Sequence, residues 1–120
     1  MKITVITISF NAAARMAQTI KSVIQQDYPY YEYIVVDGAS TDGTVEIIRQ
    51  HEQHITKWVS EPDTGIYQAM NKGVAMATGD YCIFMNAGDM FIHENVLSEI
   101  APHLDGDATI VMGNQVYVDN

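Results

Sequence analysis

The pattern of apolar and polar positions changes repeatedly along the chain, and these changes predict alternating strands and helices. Short runs rich in apolar and β-branched residues are typical of strands whose two faces are both buried. ITVITI opens the chain, and YIVV and YCIFM are further runs of this kind. The predicted strands are residues 3–8, 33–36, 57–60, 81–85, 109–112 and 115–118.

Between the strands, apolar residues recur at the spacing of one helix face. The clearest stripe runs from Ile66 to Ala77, and we expect Gly79 to end that helix. Another helix is expected to begin at Asp42 or Gly43, since either residue can cap a helix start. The predicted helices are residues 16–24, a segment after residue 43 that carries Val45, Ile47 and Ile48, residues 66–77, and a short helix at about 95–100.

This alternation indicates an α/β fold with a mostly parallel sheet covered by helices on both faces. The length of 120 residues suits one domain, residues 1–120. In open sheets of this kind, ligands bind beyond the carboxyl ends of the strands. Three predicted strand ends carry short polar side chains: Ser9 and Asn11 after the first, residues 37–42 after the second, and residues 86–89 after the fourth.

The composition narrows the classes of partner. A net charge of −9 would repel nucleic-acid backbones and anionic lipid headgroups, so neither is an expected partner of this segment. No apolar run approaches the roughly 20 residues that span a bilayer, and no signal-peptide cleavage site follows the first strand. The single cysteine, Cys82, lies in an apolar run and is interpreted as an inert core thiol of a cytosolic protein.

Asp37 ends the second predicted strand and is followed by a turn of small residues. A carboxylate at this place can accept hydrogen bonds from a base imide or a ribose hydroxyl, and Gly38 leaves room for a ligand. The alternative is that Asp37, Ser40 and Thr41 only form the turns that lead into the next helix. The residues themselves leave both interpretations open.

The segment Asn86-Ala87-Gly88-Asp89 follows the fourth predicted strand. Oxygen ligands at a strand end suit a hard cation such as Mg²⁺ or Mn²⁺, which completes its shell with phosphate oxygens. The same four residues are all turn formers, so a plain turn is the alternative.

A third segment, residues 60–67, leads into the clearest helix. Lys72 is the single cation on that helix and could reach a phosphate. The alternative is an ordinary solvated helix face with a capped start.

Four segments of the chain together resemble one family, the inverting glycosyltransferase family 2. The segments are TVITISFN, IVVDGASTDGT, SEPDTGIYQAMNKG and ATGDYCIFMNAGD, in the order and spacing of the family, and they cover most of residues 3–91. Any one alone is a weak signal, whereas four in order are specific. The second and third are most similar to members that build bacterial surface polysaccharides. The resemblance implies a GT-A fold, which is a Rossmann-like α/β sheet.

The resemblance also implies a role for individual residues. Ser9 and Asn11 would line the nucleotide pocket through loop contacts, and Asp37 would bind the base, typically uracil. Asp63 and Lys72 would lie near the nucleotide or the diphosphate.

The same resemblance makes Asp89 the last member of a DxD-type motif that binds Mg²⁺ or Mn²⁺. Asn86, which we count among the substrate-binding residues, and Gly88 stand where the family often has acidic residues. The metal site would therefore depend mostly on Asp89 and on the diphosphate.

In the family, a catalytic Asp or Glu activates the acceptor hydroxyl, and its motif lies beyond residue 120. No residue of this chain matches that motif, so we expect a fragment that binds the donor and is inactive alone. The expected partners are a nucleotide sugar, with a UDP-sugar favoured, and a glycan or lipid-linked acceptor in the full-length protein. The expected location is the cytoplasm, with peripheral attachment to the inner membrane as an option for the full-length protein.

The prediction is therefore the donor-binding part of a metal-dependent, inverting glycosyltransferase. The alternative from another class is a non-catalytic nucleotide-binding or interaction module on a doubly wound sheet. A dinucleotide-dependent oxidoreductase is disfavoured because no G-x-G-x-x-G follows the first strand. A phosphoacceptor domain is disfavoured because the first strand ends in Ser9 and Asn11 rather than in an acidic pair.

Overall fold

The computed structural model describes residues 2–103 and 110–112. Its sheet has five strands in the order β3-β2-β1-β4-β5, and every neighbouring pair is parallel. This confirms the predicted parallel α/β sheet, while the strand predicted at 115–118 lies outside the described residues. The strands are β1 (Ile3–Ser9), β2 (Tyr31–Asp37), β3 (Lys57–Ser60), β4 (Tyr81–Phe84) and β5 (Ile110–Met112).

All four predicted helices are present, with small changes at their ends. The second has Gly43 as its N-cap, with a positive φ of 105°, while the Asp42 carboxylate accepts hydrogen bonds from the Thr44 N–H and hydroxyl. Two short 3₁₀ turns, Glu52–His54 and Ala101–His103, follow the second and fourth helices. The α-helices are α1 (Ala13–Ile24), α2 (Thr44–Gln50), α3 (Ile66–Met76) and α4 (Val96–Ile100).

The two faces of the sheet carry separate apolar clusters. One joins Val5 and Ile83 of the sheet to Met16 of α1, and α2 and α4 add further side chains to it. The other joins Ile6 and alternate residues of β2 to α3. Because each apolar side chain buried here contributes about 1.5–3 kcal/mol, both helical layers hold the sheet in place.

Gly73 brings α3 close to the sheet. A Cβ at Gly73 would lie 2.6 Å from Ile6 Cγ2, so only glycine permits this approach. The outer part of the apolar stripe is less covered, since Ile66 and Val74 remain 50% and 37% exposed.

The predicted role of Gly79 as the end of that helix is wrong. α3 ends at Met76, and Ala77 follows it in an extended conformation with a φ of −74°. A Cβ on Gly79 would lie 2.5 Å from Thr4 Oγ1 and 2.8 Å from Thr4 N. Glycine is therefore needed at residue 79 because the chain passes tightly against β1, and not because the helix ends there.

None of the helices in the described ranges combines the length and the apolarity that a bilayer crossing requires.

Candidate functional site

The strand register brings the polar strand ends to one edge. Ser9 of β1 pairs with Asp37 of β2, and Asp37 pairs with Ser60 of β3, so these three residues lie side by side. A pocket of about 510 Å³ opens at this edge, between the loops after β1, β2 and β4 and the start of α3. Of the residues predicted to bind ligand, three line it: Ser9, Asp63 and Asn86.

Asp37 has no solvent-exposed surface and does not line the pocket, although Ser9 and Gly38 beside it do. Its Oδ1 accepts hydrogen bonds from the Ser9 and Ser40 hydroxyls at 2.7 and 2.6 Å, and its Oδ2 accepts from the Ser40 N–H and the Ser60 hydroxyl, both at 2.8 Å. The carboxylate thus joins three strand ends. A base could reach it only by displacing one of these donors, so the base-binding role stays a prediction.

Asn11 connects the loop after β1 to the loop after β2. It adopts a positive φ of 47°, which asparagine tolerates better than most residues. Its N–H donates to the Ser40 hydroxyl at 2.8 Å, and its Oδ1 accepts from the Thr41 N–H at 2.9 Å. Asn11 is absent from the pocket lining, and the observed contacts fix the two loops to each other.

Asp63 and Lys72 occupy different positions relative to the pocket. Asp63 lines it, and a Cβ at Gly38 would come within 3.2 Å of Asp63 Oδ2, so glycine at 38 allows the two loops to meet. The Lys72 ammonium instead lies 3.1 Å from Glu61 Oε1 and donates to the Pro62 carbonyl at 3.3 Å. Lys72 therefore holds the segment before Asp63, and its predicted contact with a diphosphate stays a prediction.

The residues from Asn86 to Asp89 form a closed turn after β4. The Asp89 N–H donates to the Asn86 carbonyl at 2.8 Å, and Gly88 adopts a φ of 102° that favours glycine. Among the described residues, Asn86 Oδ1 is a buried side-chain oxygen without a hydrogen-bond partner. Because buried oxygens normally have partners, this atom marks a place where a ligand or an ion can add one.

The oxygen donors of this turn fit a hard cation only in part. The described residues contain no group of three or more His, Cys, Asp or Glu side chains that could hold a metal alone. The turn does supply the unpartnered Asn86 Oδ1 and the Asp89 carboxylate. Mg²⁺ and Mn²⁺ take oxygen ligands and keep several from phosphate and water, so the residues fit an ion that binds together with a diphosphate.

Two residues of this region were missed by sequence reasoning. Phe10 lines the pocket and is 66% exposed, although its ring is apolar. The sequence feature that could have identified Phe10 is its position just past the end of β1. Arg15, in the first turn of α1, lies against Gly88, with its Cδ 3.3 Å from where a Gly88 Cβ would be. The sequence did contain an indication of Arg15: α1 follows the carboxyl end of β1, so the first turn of α1 lies beside the loops at the carboxyl edge of the sheet.

The open parallel sheet, with a pocket at its carboxyl edge and an oxygen-bearing turn beside it, has the architecture of α/β domains that bind ligands beyond their strand ends. The family model described as Glycosyl transferase family 2 matches residues 4–120. The chain belongs to this family.

A glycosyltransferase of Mycobacterium tuberculosis that is named as uncharacterized is 39% identical over 109 residues, which are 90% of this chain and 42% of that protein. The chain thus spans less than half the length of this relative.

Two solved structures share the fold. Staphylococcus aureus TarS in complex with UDP-GlcNAc is similar with a TM-score of 0.77 and 25% identity, over 85% of this chain and 30% of that chain. A mannosyltransferase from Pyrobaculum calidifontis in complex with GDP-Man and Mn²⁺ gives a TM-score of 0.74 and 29% identity, over 83% and 32% of the two chains. The fold is therefore the GT-A type that the sequence resemblance implied.

Proposed function

We propose that the chain is the donor-binding part of a metal-dependent, inverting glycosyltransferase that uses a nucleotide-diphosphate sugar, with UDP favoured. The sugar would pass to a hydroxyl of a glycan or lipid-linked acceptor in polysaccharide or glycan synthesis. The base that activates this hydroxyl would lie beyond residue 120. The full-length protein would act in the cytoplasm, peripherally at the inner membrane.

The observation that carries this proposal is the pocket at the carboxyl edge, with Phe10 at its lip and Asn86 at its wall. An aromatic ring that is 66% exposed offers a flat apolar face to a nucleobase. Stacking of a base on such a ring contributes about 1–3 kcal/mol. Asn86 lines the same pocket and its buried Oδ1 has no hydrogen-bond partner, which suits the polar diphosphate end of the ligand.

Asn86 and Asp89 would hold the divalent ion, Mg²⁺ or Mn²⁺, together with the diphosphate. When bound, the ion offsets the negative charge that develops on the leaving diphosphate. The chain carries a net charge of −9, so a dianionic ligand needs such a countercharge. Ser9 and Asp63 line the pocket and would orient the nucleoside, while the wall formed by the start of α3 would exclude water from one side.

Calorimetric titration of UDP, GDP, CDP and ADP, first with EDTA and then with Mn²⁺, tests the proposal. We expect UDP to bind most tightly, Mn²⁺ to strengthen binding, and Asp89→Asn to remove most of the Mn²⁺ effect. Asp80→Asn is the matched control, because it makes the same charge change at the opposite edge of the sheet, before β4. An equal Mn²⁺ effect in the wild type and in Asp89→Asn would show that Asp89 is not the metal ligand.

A further inference from the structure

The buried face of α1 carries a hydroxyl that holds the turn after β4. Thr19 is fully buried, and its Oγ1 accepts a hydrogen bond from the Gly88 N–H at 2.9 Å. The same hydroxyl donates to the Asp89 carbonyl at 2.8 Å. The turn that carries Asn86 and Asp89 is therefore bonded at two consecutive residues to one side chain of the helix.

Packing of α1 does not require a hydroxyl at this position. Thr19 lies on the helix face that also buries Met16 and Val23, where an apolar residue would serve the core. A threonine inside a helix commonly donates to the carbonyl four residues earlier. Here the distance to that carbonyl, on Arg15, is 3.4 Å, which is longer than the 2.8 Å to Asp89. The hydroxyl proton is therefore directed to the turn.

The backbone of the turn is constrained from three sides. Thr19 holds its last two residues, the Asp89 N–H bonds to the Asn86 carbonyl at 2.8 Å, and the Ala87 N–H bonds to the Ile8 carbonyl at 3.0 Å. The last two bonds fix the turn to itself and to β1. Thr19 bonds to the two peptide groups on either side of the Gly88-Asp89 peptide, and within the described residues these hydrogen bonds join the turn to α1. They therefore help to fix the backbone position from which the Asp89 carboxylate extends.

We infer that Thr19 is the positioning residue of the metal-binding turn: its hydroxyl sets the orientation of Asp89 toward the ion and the diphosphate. This inference rests on the proposed function, since it assumes that Asp89 binds the ion. Thr19 is fully buried and does not line the pocket, so it would act through Asp89 and not by contact with the ion or the nucleotide. Without its hydroxyl, the Gly88 N–H loses its acceptor and Asp89 can leave its position, which is unfavourable for an ion with strict octahedral geometry.

The test compares Thr19→Val and Thr19→Ser with Thr7→Val in the protein. Thr7→Val is the matched control because Thr7 is also fully buried and loses one hydroxyl bond, to the Tyr33 hydroxyl at 2.7 Å, within the sheet. UDP affinity is measured with EDTA and with Mn²⁺, and the Gly88 amide is followed by NMR and hydrogen exchange. Thr19→Ala serves as a second variant without the hydroxyl, in case the valine methyl prevents folding.

We expect Thr19→Val to reduce the Mn²⁺-dependent gain in UDP affinity about tenfold, as expected for loss of a buried hydrogen bond. Affinity with EDTA should stay as in the wild type. Thr19→Ser and Thr7→Val should keep the Mn²⁺ gain, and the Gly88 amide should exchange faster only in Thr19→Val and Thr19→Ala.

Two outcomes distinguish a failure of the Thr19 inference from a failure of the proposed function on which it rests. If the wild type gains affinity with Mn²⁺ and Thr19→Val and Thr19→Ala gain as much, Thr19 has no positioning role and the inference alone is wrong. If the wild type binds UDP equally with EDTA and with Mn²⁺, the metal-dependent function is wrong and the inference is overturned with it.

Discussion

Asp37 shows how one residue can carry both a structural and a functional prediction. Four donors from Ser9, Ser40 and Ser60 saturate its carboxylate and join three strand ends. Of these partners, Ser60 is 23 residues away along the chain. The local sequence could indicate the turn at Ser40, but it could not indicate that Ser60 would reach the same carboxylate, because that depends on the register of β3 against β2.

Replacement of Asp37 by alanine should therefore lower the free energy of unfolding by about 2–4 kcal/mol, because several buried donors lose their acceptor. Asp63→Ala is the control: the Asp63 carboxylate accepts a local hydrogen bond from the Gly65 N–H at 3.3 Å, so stability should change by less than about 0.5 kcal/mol. Urea unfolding measures both variants. The opposite result would be an Asp37→Ala variant that keeps wild-type stability but loses its preference for UDP. That result would support direct binding of the base by Asp37.

The ionisation of Glu32 is expected to make the free energy of unfolding depend on pH. It lies on β2, almost buried, and accepts hydrogen bonds from the Thr4 hydroxyl at 2.6 Å and from the Thr78 hydroxyl at 2.9 Å, with the Lys2 ammonium 3.3 Å away. Burial acts to raise the pKa of Glu32, but these hydrogen bonds outweigh it and lower the pKa from 4.5 to about 2. The charged form is thus favoured by folding.

Because the folded pKa of Glu32 is below the unfolded value, its contribution is complete above about pH 4.5 and is lost as the pH falls toward 2. We expect a loss of about 2–3 kcal/mol over this window. Urea unfolding at intervals between pH 5 and pH 2 measures it, with Glu32→Gln as the comparison. The variant should be less stable at pH 5 and show a flatter decline. Parallel curves for the two proteins would contradict the prediction.

At the scale of elements, periodicity predicted the strands and helices because each face of the sheet is covered. β1 and β2 read as continuous apolar runs since α1 covers one face and α3 the other. The end of α3 was misplaced because Gly79 is typical of a helix end, whereas its actual constraint comes from Thr4, which lies 75 residues away. The pocket lining was predicted in part. The search for polar side chains at strand ends identified Ser9 and Asn86, but it passed over Phe10 because the Phe10 side chain is apolar.

Helix α1 also acts as a scaffold for the segment after β4. Thr19 and Ser22 of α1, together with Gln26 two residues past the end of the helix, bond to the backbone of residues 88–97. Gln26 accepts from the Leu97 N–H at 3.0 Å and donates to the His93 carbonyl at 2.7 Å. These side chains replace the backbone partners that an irregular segment lacks.

Gln26→Leu should therefore lower the free energy of unfolding by about 2–3 kcal/mol, because it leaves a buried N–H and a carbonyl unpaired. Denaturant unfolding gives the global effect, and hydrogen exchange should show faster exchange at Leu97. Gln53→Leu is a suitable control, since Gln53 is exposed in a 3₁₀ turn. If Leu97 exchanged as slowly in Gln26→Leu as in the wild type, the scaffold role would be contradicted.

At the scale of the whole molecule, the chain spans 42% of its Mycobacterium tuberculosis relative, and the proposed function predicts that donor binding and sugar transfer can be separated experimentally. Residues 1–120 should bind UDP but transfer no sugar to any acceptor, because no residue matches the family's base motif. Isothermal titration measures binding, and a radiolabelled UDP-sugar assay measures transfer. Acceptor-dependent transfer by this chain would show that a base is present among these residues.

The strand order has a consequence for the time course of folding. β1 is synthesised before the other four strands of this sheet, yet it lies in the centre of the sheet and pairs with β4 through Ile3 and Tyr81. During synthesis its second edge has no partner until residue 84 has left the ribosome, and such distant pairings form slowly. The carboxyl edge of the sheet, where the pocket lies, is completed later still, when the turn at residues 86–89 docks on α1. Under the proposed function, a nascent chain would therefore gain nucleotide affinity only after this turn has docked, while intermediates that end before residue 84 expose one edge of their central strand.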